Sequence, residues 1–188
     1  MRSILPMFAV SLAISVPAVA DAQSVAVPSF RSVELRGGGD VMIVPGPVQR
    51  VTILNGSTQF TSFRMRRDGQ LVIDACNTQC PHNYNLRIRI ESPRVPTVAV
   101  KAGGTIIAQR GFAPQRELVA AVSAGGTIDL RAVDTQTAVA AVNAGGDIYV
   151  RPRARLTAAV NSGGDIHYSG HPAVTMAVHG GGDVSRED

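Results

Sequence analysis

The chain has no tryptophan, and aromatic residues make up 4% of its 188 positions. Coils this poor in aromatics do not readily build the enclosed groove of convergent titratable groups that an enzyme needs. Lysine is nearly missing too: Lys101 is the only one, so the positive charge is almost all arginine. The net charge of +4 is too mild to indicate nucleic acid. Only one apolar run is long, Ile4 to Val16, and nothing after it could cross a bilayer. Helical spacing, a domain linker and a nucleophile-elbow context are all missing from the rest of the chain.

That apolar run follows Arg2 and ends at small residues, Ala18-Val19-Ala20 or Ala20-Asp21-Ala22. Residues 1–22 therefore read as a secretory signal peptide, leaving residues 23–188 as one exported domain. No cysteine stands directly after the cleavage region, which does not fit lipoprotein-type anchoring. The two cysteines, Cys76 and Cys80, stand in CNTQC. In an oxidising compartment they read as a disulfide closing a tight loop. The spacing of Cys76, Cys80 and His82 matches no common zinc pattern, and three intervening residues do not make a redox motif.

What the chain does have is one short phrase written five times: AVKAGGTIIA, AVSAGGTIDL, AVNAGGDIYV, AVNSGGDIHY and AVHGGGDVS. The first glycine of each pair falls at Gly103, Gly125, Gly145, Gly163 and Gly181. A unit of this size cannot bury an apolar face alone, so copies must stack. Aligned on the glycines, Val100, Val122, Val142, Val160 and Val178 form one column, and Ile106, Ile128, Ile148, Ile166 and Val184 another. Apolar β-branched residues at period two mark strands, with the glycines at a corner between them. The expectation is an all-β fold, a right-handed parallel β-helix or β-solenoid. RGGGDVMIV, Arg36 to Val44, is a sixth copy whose Gly38 precedes Gly103 by 65 residues, about three coil lengths. Between them, strands near 51–54, 62–67, 70–75 and 84–91, with a hairpin at Asp68-Gly69, predict partly antiparallel N-terminal pairing.

The order FRSVELRGGGDVMI, DGQLVI, LRIRIESPRVPTV and then small-Gly-Gly-Asp-Ile units resembles the head GIN domain family of autotransporter adhesins over residues 30–184. The closing Tyr168, Gly170 and Pro172 resemble that family's Tyr-x-Gly-x-Pro ending. Glycine where the family often has serine in its glycine pair, and the two cysteines, depart from its pattern. The resemblance implies an envelope-associated β-helix without established activity and carries over no catalytic residue.

Other columns carry the candidate chemistry. Asp147, Asp165 and Asp183, with Asp40, stack carboxylates that calcium could hold together; Thr105 and Thr127 replace them in two coils. Turn capping by the Asp and Thr side chains is the stronger reading, so no metal and no cofactor are expected. Asn143 and Asn161 make a short amide ladder. Four histidines read as surface residues. Arg64, Arg66, Arg87 and Arg89 alternate with apolar neighbours, which turns them outward as a fork-donor surface for anionic envelope glycans, or else as a solvated face. Ala99, Ala121, Ala141, Ala159 and Ala177 form an outward apolar stripe fit for a protein partner, for another copy of the chain or for its own N-terminal strands; a thin coil would instead hold the stripe inside. The function expected is a non-enzymatic binding or structural module of the envelope, periplasmic or at the cell surface. The alternative is a calcium-dependent β-helix enzyme acting on acidic polysaccharide.

The loop of CNTQC supplies the first test. Exported protein, denatured without reductant, should show no free thiol, and its closed loop should contribute about 2 kcal/mol. Two free thiols in such material would contradict the pairing.

Overall fold

The computed structural model describes residues 22–77 and 79–187; the expected leader, 1–22, lies outside them except for Ala22. Among the described residues every regular element is a strand. The N-terminal part contributes β1 (Gln23–Val25), β2 (Ser32–Arg36), β3 (Asp40–Pro45), β4 (Arg50–Asn55), β5 (Ser62–Met65), β6 (Gln70–Asp74) and β7 (Arg87–Ser92). Then come β8 (Thr97–Lys101), β9 (Thr105–Ala108), β10 (Gln115–Val122), β11 (Thr127–Asp129) and β12 (Thr135–Asn143). The last are β13 (Asp147–Val150), β14 (Pro152–Asn161), β15 (Asp165–Tyr168), β16 (Ala173–His179) and β17 (Asp183–Arg186).

These strands form two mixed sheets. One runs β1-β4-β7-β3-β9-β11-β13-β15-β17, the other β16-β14-β12-β10-β8-β2-β6-β5. From β8 onward the chain alternates between the sheets, and each strand pairs in parallel with its counterpart from the neighbouring copy of the phrase. The valine column is a ladder, Val100 opposite Val122, then Val142, Val160 and Val178. The isoleucine column pairs likewise. Val100, Val122, Val142, Val160, Ile106, Ile128, Ile148 and Ile166 are all buried between the sheets. Ala120, Ala140 and Ala158 fill the inner face beside the valines, so the core is thin and small side chains set its depth.

The sixth copy sits against the first. Strand β2 pairs with β8 and β3 with β9, which puts Leu35 opposite Val100 and Val41 opposite Ile106. The 65-residue separation therefore does not become three further coils between them. The intervening segment crosses to the far edge, where β6 pairs with β2 and β7 with β3. It is closed there by antiparallel pairs of β4 with β7, β1 with β4, and β5 with β6. The expected Asp68-Gly69 hairpin joins β5 to β6: Arg66 N–H donates to the Gln70 carbonyl at 2.8 Å. The strand expected from Tyr84 begins later, at Arg87, because the Tyr84 hydroxyl is held by Thr61 Oγ1 at 2.6 Å. Cys76 and Cys80 are bonded to each other in the loop before it.

The glycine pair performs two different tasks. At Gly145 φ is +91° and a Cβ would meet nothing within 4 Å. At Gly146 φ is +100°, and a Cβ would lie 2.6 Å from the Gly126 carbonyl oxygen and 2.6 Å from Val122 Cγ1. The first position needs glycine for its backbone angle, the second because the preceding coil lies against it. Gly145→Ala should cost about 1–3 kcal/mol for backbone strain. Gly146→Ala should cost clearly more, since neither a backbone oxygen nor a packed valine can retreat. Thermal melting of the two variants checks this; equal losses would contradict the close-approach argument.

Candidate functional site

The arginines singled out from sequence do not converge. Arg64 stands on β5 and Arg66 just past its end, in one sheet, whereas Arg87 and Arg89 stand on β7 in the other. Each also has a local partner: Arg64 pairs with Asp74, and Arg66 Nη1 donates to Gln70 Oε1 at 2.8 Å. Arg87 Nε lies 4.0 Å from Asp40 and Arg89 Nε 3.5 Å from Glu91.

A second set of arginines does gather, at the corner opposite the glycines. Leu130 and Val150 are buried at the ends of their coils' inner columns, so Arg131 and Arg151, which follow them, turn out at the rim. Asp129 accepts from the Arg131 backbone N–H at 3.0 Å, from Nε at 3.1 Å and from Nη2 at 2.8 Å. Arg131 Nη1 also donates to Glu187 at 3.1 Å, and its guanidinium carbon lies 4.4 Å from the centre of the Tyr149 ring. Asp134 accepts from Arg151 at 2.6 Å and from Arg153 at 2.5 Å. Arg110 meets no carboxylate among the described residues.

Two shallow grooves run along this rim. One of about 650 Å³ passes Arg110, Phe112, Asp129, Arg131 and Arg151. The other, about 440 Å³, passes Asp134, Arg151, Arg153 and His171. Burial pushes the Asp129 carboxyl up, but the hydrogen bonds and charge of Arg131 outweigh it and hold the group below its ordinary value. Asp134 is likewise lowered, desolvation being outweighed by Arg153 and Arg151. Such carboxylates stay ionised and orient guanidinium groups; they are not poised as acids at neutral pH. Tyr149 is pushed up by burial and by the nearby charges of Asp147 and Glu187. The sequence held a signal for this corner, because the column six residues after each first glycine reads Gln109, Arg131, Arg151, Ser169 and Glu187. That column lies one residue past the last apolar column of the phrase, Ala108, Leu130, Val150 and Tyr168.

The aspartate column is real: Thr105, Thr127, Asp147, Asp165 and Asp183 stand opposite one another, with Asp40 beside Thr105. Turn capping does not account for it. Among the described residues, no backbone N–H donates to the carboxylates of Asp147, Asp165 or Asp183, and no base pairs with them. Asp147, Asp165 and His167 place one ligand atom each within 4.8 Å of one another. The amide ladder also forms, Asn161 Nδ2 donating to Asn143 Oδ1 at 3.0 Å.

The alanine stripe faces out of its sheet, in register from Ala99 to Ala177. Ala99 and Ala121 are half-buried, and Ala141, Ala159 and Ala177 are exposed.

Residues 101–172 match the family described as "Putative auto-transporter adhesin, head GIN domain", and the resemblance carried by the motifs stands there. No curated protein matches the chain. Among solved structures, a putative adhesin of Bacteroides fragilis is similar over 89% of this chain and 96% of its own, at 15% identity and a TM-score of 0.54. That likeness shows a shared fold. A putative lipid binding protein of Parabacteroides distasonis and a putative adhesin of Parabacteroides merdae match over the same shares, at 13% and 14% identity, with TM-scores of 0.37 and 0.40.

The Asp129–Arg131 pair gives a pH test. A carboxyl held below its ordinary value adds stability that is complete above the unfolded pKa and lost as pH falls through the folded one. The pair is partly exposed, so Asp129→Asn should cost less than about 1 kcal/mol at pH 7. Melting curves should show the gap from wild type closing below about pH 4. A gap that is constant down to pH 2 would mean the charge is not what Asp129 contributes.

Proposed function

We propose that this chain, matched over residues 101–172 to the head GIN domain family, is an exported, non-enzymatic binding module of the cell envelope. Residues 1–22 are its leader and residues 23–188 its single domain. The two in-register sheets support reading the domain as a β-solenoid, and the general chirality of parallel crossovers supports a right-handed one. The family's adhesin name supports a place at the cell surface or in the periplasm.

One observation carries the ligand class: Arg131, Arg151 and Arg153 are held by Asp129 and Asp134 along one rim, with Arg110 beside them. Guanidinium groups already fixed in place lose little freedom when they take a second acceptor. Forked donors in an open groove fit carboxylate or phosphate groups on an acidic envelope glycan. The grooves are shallow, as suits a polymer lying along the surface. The pairs at Arg64, Arg66, Arg87 and Arg89 lie away from this rim and serve as solvated faces of their sheets.

Binding of polygalacturonate, followed by calorimetry at two salt concentrations, tests the reading. Wild type should bind, more weakly at high salt, and the double variant Arg151→Ser/Arg153→Ser should bind at least about tenfold more weakly. Failure of wild type to bind, or a double variant that binds equally, would overturn the arginine rim as the site. Formation of unsaturated uronate in the same mixture would favour an enzyme instead.

A further inference from the structure

We propose that Asp147, Asp165 and His167 form a binding site for a divalent first-row transition metal on the outer face of the nine-stranded sheet. The constellation is made by the parallel register. Strands β13 and β15 pair so that Asp147 stands opposite Asp165. His167, two residues beyond Asp165, shares its outward face by the strand period. All three are half-buried, and their ligand atoms lie within 4.8 Å of one another. No linear motif reveals them, because two donors come from one coil and the third from its neighbour.

The first argument is charge. Two carboxylates facing each other on adjacent strands, about 4.8 Å apart, repel unless a cation lies between them. Elsewhere on this sheet the acids have partners: Asp40 has Arg87, Glu91 has Arg50 and Arg89, Asp129 has Arg131, and Glu187 has Arg131. Asp147 and Asp165 have no such partner among the described residues, and neither has Asp183, the next in their column. A divalent cation would supply the charge that the chain provides at the other positions.

The second argument is the imidazole, which is held in place by groups outside the pair of acids. Its ring stacks on Tyr149 at 4.6 Å between centres and 16° between planes. Its Nδ1 lies 3.2 Å from Ser185 Oγ and 3.6 Å from Glu187 Oε1. Carboxylate and hydroxyl groups placed on one nitrogen are the arrangement that orients a metal-ligating histidine through the other. The nitrogen left over, Nε2, is on the opposite edge of the ring from Nδ1.

The donor set decides the class of ion. One imidazole nitrogen with two carboxylate oxygens suits zinc and its first-row neighbours, whereas calcium takes six to eight oxygens. Three protein donors leave a position for water or for Asp183. Thr105 and Thr127 replace aspartate in the coils on the other side, which confines the site to this end of the column. The proposal does not depend on glycan binding at the arginine rim.

Calorimetry of the chelator-treated full chain with zinc chloride tests it, alongside His167→Ala, Asp165→Asn and the distant control Asp40→Asn. One zinc per chain should bind wild type and the control, and each site variant should lose about tenfold or more in affinity. Calcium chloride should bind far more weakly. Imidazole resonances of wild-type protein give a reading that no unfolded variant can spoil: zinc should move those of His167 and leave His82 and His179 in place. Absence of zinc binding, binding unchanged in both site variants, a preference for calcium, or shifts confined to the other histidines would each overturn the site.

Discussion

Everything in this molecule depends on how closely one coil can approach the next at the glycine corner. The second glycine of each pair lies under the carbonyl oxygen of its counterpart one coil back, with no room for a Cβ, which would stand 2.7 Å from that oxygen at Gly126, 2.6 Å at Gly146 and 2.5 Å at Gly164. Strand pairing sets a spacing of about 4.8 Å, and a corner that could not close to it would splay both sheets. Once that contact is made, register is no longer free. A slip of one residue would turn the isoleucine ladder out and the aspartate column in.

The same constraint explains why chemistry appears in columns. Any residue type placed at one position of the phrase meets its own kind one coil away. For valine and isoleucine that is favourable, and for asparagine it yields an amide-to-amide hydrogen bond. For charged residues it is a problem that must be met. At the arginine rim acids are interleaved with the bases, Asp129 beneath Arg131 and Asp134 between Arg151 and Arg153. Among Asp147, Asp165 and Asp183 no base of the described residues is interleaved, and that contrast within one sheet is what singles this end of the column out.

How much was legible follows from the same physics. Strands, the glycine corner, the valine and isoleucine ladders and the outward alanine stripe could be read, because each depends on local period and on residues repeated in the same column. The hairpin at Asp68-Gly69 could be read because turn chemistry is local. The place of the coil built from β6 and β7 could not. Nothing in QLVID or RIRIES says that it lies before β2 and β3 rather than after them. Whether the four arginines share a patch could not be read for a related reason: strand alternation gives the direction of a side chain but not which sheet it belongs to. The pairing of His167 with Asp147 also needed the register, since 20 residues separate them in sequence.

The valine ladder shows a further consequence of building by stacking. Val142 and Val160 are each 1% exposed, whereas Val178, the same position of the same phrase, is 41% exposed. Met176, beside it on the inner face of the last described coil, is 60% exposed. The difference lies in neighbours, not in residue type, for Val178 has β14 on one side and no described strand on the other. Burial here belongs to the interface between coils, so stability is a sum over interfaces, and the last described coil has one such interface where an inner coil has two. Local opening should therefore begin at β16 and β17 and proceed inward. The opposite end is protected by construction, because β1, β4 and β5 turn antiparallel across it and end the parallel register. Asp165 and His167 lie one coil inward from this weaker end and Asp147 two, so an ion bound there would add a tie between neighbouring coils that otherwise hold each other through strand pairing and a thin core.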